Sequence, residues 1–348
     1  MVALFMKEYD GGTRTVHKHN IVVTYSGSTE QKTLLLEVLG SDASLTFFDE
    51  TPPAQRGQAL EDATVLLSWN VSQEIQLQNY SKLQQVQFIQ LISAGANHVP
   101  FADLPSHLII ASNVGAYAAP MAEHVMAMTL ALAKRLLIEN QNLRNGEFDQ
   151  RTLNRSLSGM TAGIIGFGGI GRATARLMSA FGMRIYAINQ SGASPEPTEF
   201  LGTLHDLEHV LRASDVVVIS LPLTKATEGL IGKDQLRWMK PDAILVNVAR
   251  GALIDEEALY THAKGHPTFL VGIDVWWREP FPHGSFRHGR FRTEYPFLEL
   301  PNVLGSPHNS GVVPHILSNT VQQAAENIKH FLKGEKVIGI VQREDYLL

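Results

Sequence analysis

The feature that most limits how this chain can fold is a set of short apolar runs. "DVVVISL" (215–221), "AILVNV" (243–248) and "FLVGIDV" (269–275) are nearly continuous in Val, Ile and Leu. A strand with one wet face alternates apolar and polar residues, whereas a strand buried on both faces does not. Such runs separated by helical segments predict a parallel sheet covered by helices on both sides. The same order appears earlier. "IVVTY" (21–25) leads into the helical "STEQKTLLLEVLG", with Ser28 or Thr29 as N-cap and Gly40 as stop. "LTFF", "TVLLS", "VQFIQLIS" and "LIIAS" add strands up to Ala111. "PMAEHVMAMTLALAKRLLIENQNLRNGEF" (120–148) predicts one long helix, with Pro120 in its first turn and Gly146 beyond its end. The alternation then restarts at "AGIIGFG" and runs through "RIYAIN" and "NVLGS" to a last amphipathic helix over 314–334. The chain is therefore read as α/β, and 348 residues are enough for two domains.

Charge and cysteine content narrow the function classes. With 29 basic and 34 acidic residues, the net charge of −5 argues against nucleic acid or an anionic membrane as partner. There is no cysteine, which removes disulfides, thiolate metal sites and cysteine nucleophiles. The apolar run "VMAMTLALA" (125–133) falls far short of the roughly 20 residues that span a bilayer. The opening residues lack the basic start and apolar core of a signal peptide. These observations predict a soluble cytoplasmic protein. Residues 1–19 read as a polar, poorly ordered extension. His262 and His266 are four apart but have no evident partners for a metal, so no metal site is expected.

"GFGGIG" places Gly166, Gly168 and Gly171 in the spacing G-x-G-x-x-G, between a strand and a helix. The first glycine permits the tight turn, the second lets a pyrophosphate approach the backbone, and the third lets helix and strand pack closely. The helix N–H groups and dipole then face the phosphates. In such a unit the second strand usually ends in an acid that binds the ribose of NAD. Here that strand ends at Asn189, followed by Gln190 and Ser191, and none of the three is acidic. A neutral Asn189 can bond a ribose but cannot repel a 2′-phosphate. A dinucleotide is therefore expected, either NAD or NADP, with NADP mildly favoured.

Further stretches resemble the D-isomer-specific 2-hydroxyacid dehydrogenases. They are "DVVVISLPLTKATEGLI" (215–231), "LVNVARGALIDEEAL" (245–259), "GIDVWWREP" (272–280), "SPHNSG" (306–311), "SAGANHV" (93–99) and "AEHVMAMTLALAKR" (122–135), together covering nearly all of 20–335. The resemblance implies a Rossmann-type doubly wound parallel sheet domain over 112–308. It also implies a flavodoxin-like α/β substrate domain built from 1–111 and 309–348. A cleft between them would hold the site, and the family is usually dimeric through the dinucleotide domain. Reduction of a 2-oxo acid needs a carboxylate clamp, a polarised ketone and a proton donor. Arg250, just past a buried strand, suits the first two roles. His308 is the best acid/base candidate, and Glu279 would fix its tautomer. By resemblance these match the family's catalytic arginine, histidine and glutamate.

The resemblance also implies cofactor contacts at Gly166, Gly168, Gly169, Ile170, Gly171 and Asn189. It adds Leu221, Pro222 and Thr227 on the adenosine side, and Ala249 and Asp274 near the nicotinamide. Ala94, Gly95 and Ala96, with Arg250, would face the substrate carboxylate. Three departures stand out: neutral Asn189, the long basic and aromatic stretch after Pro280, and the pair Trp276 and Trp277. The long stretch reads either as a lid or subunit contact that adds positive charge near an acidic substrate, or equally as a surface loop that packs its aromatics locally. The tryptophans either narrow the pocket or pack beneath that loop. Formate is disfavoured, because formate dehydrogenases carry glutamine where this chain has Glu279 and their formate-binding asparagine has no match at Tyr117. Glyoxylate, hydroxypyruvate, 3-phosphoglycerate and phosphite stay open as substrates. So does a nucleotide-sensing, corepressor-like regulator of the same fold.

Overall fold

A computed structural model describes residues 19–281 and 287–346. The expected polar extension, apart from His19, lies outside the described residues, as does part of the long stretch after Pro280. Among the described residues the strands form two parallel sheets of five and seven strands. The first contains β1 (His19–Val23), β2 (Ala43–Phe47), β3 (Val65–Ser68), β4 (Phe88–Leu91) and β5 (Ile109–Ala111), in the order β2-β1-β3-β4-β5. This is the flavodoxin-like order. The second contains β6 (Thr161–Ile165), β7 (Arg184–Ile188), β8 (Phe200–Gly202), β9 (Val216–Ile219), β10 (Ile244–Asn247), β11 (Leu270–Ile273) and β12 (Val303–Gly305). Its order is β12-β11-β10-β9-β6-β7-β8. Counted from β6 this is the doubly wound order with one added strand, and it reverses between β6 and β9, where ligands of such sheets bind.

The non-alternating runs are explained by their burial. Every residue of β3, β4, β6, β9 and β10 is buried. In β9 and β10 the paired residues Val217 and Leu245 pack with Ile165 and Ile273 on one face, while Val218 and Val246 pack with Ile164 on the other. Edge strand β8 has three residues, two of them half-exposed, and so leaves no apolar run to read.

The expected long helix is two helices. The first, Ala118–Ala133, buries Val125, Met126, Met128 and Leu132 beside the helix of the glycine turn. It stops where Arg135 takes a left-handed conformation (φ 54°). The second, Leu136–Arg144, has no buried residue. The break is fixed by Arg155, whose N–H donates to Ala133 O at 3.0 Å and whose carbonyl accepts Lys134 Nζ at 2.7 Å. Helical propensity continues through 148, but the core that rewards it ends at Ala133.

The last helix, Ile316–Leu332, returns to the first sheet. Val321, Ala324, Ala325 and Ile328 pack with Ile21, Leu35 and Phe88. Asn327 Nδ2 donates to Gln90 Oε1 at 2.6 Å and to Ile338 O at 3.0 Å. The chain after it runs back along β5, with Ser112 N–H donating to Gly339 O at 2.9 Å.

Candidate active site

The glycine turn sits at the carboxyl end of β6. Gly166 has φ 107°, and a Cβ there would meet Leu221 N at 2.5 Å. That backbone contact links the turn to the end of β9 across the topological switch. Gly168 faces open space, with nothing within 4 Å of an added Cβ. The helix Gly169–Ala180 starts immediately beyond it, carrying Ile170 and Gly171 in its first turn. An open glycine in front of a helix N-terminus leaves room for an anion to approach the backbone N–H groups, so the residues present fit a dinucleotide. Gly169 serves another contact: a Cβ there would lie 2.7 Å from the Cα of Gly115, in the crossover between the two sheets.

Asn189 follows β7 and is engaged with its own loop. Its Oδ1 accepts Gly192 N–H at 2.7 Å and its Nδ2 donates to Ala193 O at 2.8 Å. Leu221 and Thr227 are buried and Pro222 is exposed. The Thr227 hydroxyl donates to Pro222 O at 2.7 Å and accepts Thr224 N–H at 2.8 Å, which closes the loop after β9.

Arg250 projects from the turn after β10. Asn247, the last residue of that strand, builds the turn by accepting Ala249 N–H at 3.0 Å and donating to Arg250 O at 2.8 Å. The guanidinium donates from Nε to Asn97 Oδ1 at 3.0 Å and from Nη1 to Ala249 O at 2.7 Å. An added Cβ on Gly95 would run into Nη2. The second sheet's arginine therefore lies against the 93–99 loop of the first sheet, where Ala94 and Gly95 are half-buried and Ala96 is buried. Burial lowers the affinity of Arg250 for its proton, while the Glu279 carboxylate opposes that shift. The guanidinium stays charged.

His308 Nδ1 lies 2.8 Å from both Glu279 oxygens. A carboxylate only accepts, so Nδ1 carries the hydrogen and the tautomer is set. Glu279 Oε1 also accepts Trp276 N–H at 3.2 Å. His308 has φ 53°, an uncommon conformation for a residue with a side chain. Asp274 holds it there. The Asp274 carbonyl accepts His308 N–H at 2.7 Å. The wholly buried carboxylate accepts the Ser306 hydroxyl at 2.6 Å and the N–H groups of Asn309 and Ser310 at 3.1 Å each. Asp274 thus anchors the loop that carries His308. His124 Nε2 adds a contact to Ser306 Oγ at 2.9 Å.

The tryptophan pair belongs to the packing. Trp277 stacks on Phe297 and donates to Ile254 O at 2.6 Å, while Trp276 packs on Phe291 and donates to Ser306 O at 2.9 Å. From the long stretch, Glu294 pairs with Arg278, and Arg290 and Arg292 are exposed. Asn97, Asn247, Ser306 and His124 escaped the sequence reading. The available signal was a polar residue closing an apolar strand, as Asn247 closes β10. Among the described residues, no three His, Cys, Asp or Glu side chains converge to hold a metal.

Comparison with known proteins gives the same architecture. Residues 126–310 match the family model "D-isomer specific 2-hydroxyacid dehydrogenase, NAD binding domain". The glyoxylate reductase of Thermococcus litoralis is 30% identical over 310 residues, covering 85% of this chain and 88% of the relative. That of Korarchaeum cryptofilum is 29% identical over 304 residues, with the same coverage of each. The crystal structure of a glyoxylate reductase from Paecilomyes thermophila superposes with a TM-score of 0.75 at 25% identity, over 94% of this chain and 99% of that one.

Proposed function

Because this chain belongs to the D-isomer-specific 2-hydroxyacid dehydrogenase family, we propose that it transfers hydride between NAD(P)H and a small 2-oxo acid, giving a D-2-hydroxy acid. Residues 166–171 would hold the dinucleotide, which when bound would supply the hydride. Arg250 clamps the substrate carboxylate, with the backbone of Ala94, Gly95 and Ala96 beside it, and stabilises charge on the ketone oxygen. His308 delivers a proton from Nε2 to that oxygen. Glu279 accepts the Nδ1 hydrogen and holds the ring in position. One observation carries the reading: the His308–Glu279 pair and Arg250 stand on loops at the carboxyl edge of the sheet that also carries the 166–171 glycine turn.

The neutral Asn189 supports use of NADPH beside NADH. Glyoxylate is the substrate to test first, given the relatives' names, with hydroxypyruvate beside it as a second small 2-oxo acid. Leu136, Leu137, Leu143, Phe148 and Leu153 are between 52% and 89% exposed, along the second helix of the broken pair and the chain beyond it. A run of apolar side chains this exposed supports a homodimer formed there. The absence of cysteine and of a membrane-crossing helix among the described residues is consistent with the cytoplasm. The experiment is NADH and NADPH oxidation by the purified protein with glyoxylate, hydroxypyruvate and pyruvate. Turnover with any of them supports an enzyme. Tight dinucleotide binding without turnover on any 2-oxo acid would instead favour a nucleotide-sensing regulator.

A further inference from the structure

The chain passes between the two sheets twice. The first passage runs from the end of β5 at Ala111 to the helix Ala118–Ala133. The second runs from the end of β12 at Gly305 to the last helix, which starts at Ile316 and packs on the first sheet. His308 stands on this second passage, so either sheet can pull on it, whereas the 166–171 turn follows β6 of the second sheet. Ser306 opens the passage, and its backbone is tied to the second sheet's side. Its N–H donates to Ile273 O at 2.8 Å and its carbonyl accepts Trp276 Nε1 at 2.9 Å. Its hydroxyl lies 2.6 Å from Asp274 Oδ1 and 2.9 Å from His124 Nε2. A carboxylate only accepts, so the hydroxyl hydrogen goes to Asp274. Ser306 Oγ then has only lone pairs to offer, and His124 Nε2 carries the hydrogen between them. The donors run one way, from His124 through Ser306 to Asp274, and each link polarises the next. His124 is held by its own helix, where its neighbour Val125 is wholly buried, and its Nε2 stands 3.7 Å from Asp274 Oδ1.

We propose that His124 is a positioning residue for the proton donor. Through Ser306 it pins the start of the second passage, so that His308 keeps its place relative to the second sheet when the first sheet moves. Proton delivery depends on that place, because a misplacement of about 1 Å can cost about 10²-fold in rate. The helix that follows the first passage thus steadies the loop that opens the second. The inference rests on the hydride-transfer reading and adds to it a residue that acts through another.

The test is the single-turnover rate of cofactor oxidation by stopped flow, with the small 2-oxo acid and the reduced cofactor that wild type uses best. KM, cofactor affinity and melting curves are measured beside it. His124→Leu removes the donor and is expected to slow the turnover about tenfold or more, while KM and cofactor affinity move by less than about twofold. His124→Gln and His124→Asn separate positioning from packing. The Gln amide nitrogen reaches as far as Nε2 and is expected to restore the rate to within about twofold of wild type. The Asn amide reaches only as far as Nδ1 and is expected to stay as slow as His124→Leu. Ser306→Ala breaks the same link from its other end, so adding His124→Leu to it is expected to slow the enzyme no further. A wild-type rate in His124→Leu, equal rates in the Gln and Asn variants, or single losses that multiply in the double variant overturns the proposal. Should His124→Leu fail to fold, the Gln and Asn variants decide alone. Wild type that reduces no 2-oxo acid sinks the function itself and this inference with it, whereas an active wild type with an unaffected His124→Leu sinks the inference alone.

Discussion

Asp274 grips His308 from both sides: its carbonyl binds the His308 amide, and its carboxylate binds the two amides that follow and the hydroxyl of Ser306. The left-handed backbone at His308 is thus imposed by a buried carboxylate one strand away. Asp274→Ala leaves those donors without their acceptor around a fully buried position. A loss of about 2–4 kcal/mol in unfolding free energy is expected, together with a fall in kcat. Urea unfolding and steady-state kinetics on one preparation check both. A loss under about 0.5 kcal/mol would mean that the loop holds its shape without Asp274.

His308→Asn removes the proton donor and retains a side chain of similar reach. A drop in kcat of about 10²–10⁴-fold is expected, while NADH affinity, read by tryptophan quenching, changes little. Glu279→Gln keeps a group that can accept from Nδ1 but removes its charge, so its kcat falls less. Wild-type rates in His308→Asn would remove His308 from the mechanism.

Asn189→Asp places a carboxylate at the end of β7, where a 2′-phosphate would sit. NADPH affinity should fall about tenfold or more relative to NADH. An unchanged ratio would place the adenosine ribose away from this strand end. The substitution also removes the Nδ2 donor to Ala193 O, so a melting curve belongs beside the titrations.

Two histidines make the fold acid-sensitive. His98, whose Nε2–H donates to Trp69 O at 3.0 Å, is lowered to about 4 by burial, with the Arg250 charge adding to the effect. His262 is lowered to about 4 by burial, then by His266 stacked on it and by Arg237. In the unfolded chain both titrate near about 6.5. Between those values the unfolded state binds more protons, so stability is fully present above about pH 6.5 and is lost as pH falls toward 4. Each histidine contributes at most about 1.4 kcal/mol per pH unit, and the partial exposure of His262 reduces its share. Urea midpoints of wild type and His262→Phe across this range check it: the variant's decline should be shallower, and equal slopes would contradict the assignment.

Both sheets and nearly every strand were legible in the sequence, because burial on both faces writes a strand as an uninterrupted apolar run. Edge strand β8 was not, since half-exposed residues carry no such signature. The glycine turn and the loops bearing Arg250, Glu279 and His308 were readable from residue type and position at strand ends. The break at Arg135 was hidden, because it depends on Arg155 arriving from elsewhere in the chain. The Asp274 clamp was hidden for the same reason: its partners are mostly backbone amides, which no side-chain pattern reports. The resemblance implies that Asp274 lies near the nicotinamide; the structure adds that its carboxylate accepts from Ser306, Asn309 and Ser310 of the His308 loop.

The return of the Ile316–Leu332 helix to the first sheet has a consequence for how the chain is made. Its seat, formed by Ile21, Leu35, Leu39 and Phe88, is synthesised first and covered last. About 200 residues, including the whole second sheet, emerge in between. At about 5–20 residues per second, one apolar face of the first sheet waits roughly 10–40 s on the ribosome for its cover. The inserted sheet is contiguous in sequence and can complete itself during that interval. The amino-terminal sheet, although translated first, is finished only when the carboxyl-terminal helix docks, and until then its uncovered face is the surface a chaperone would bind.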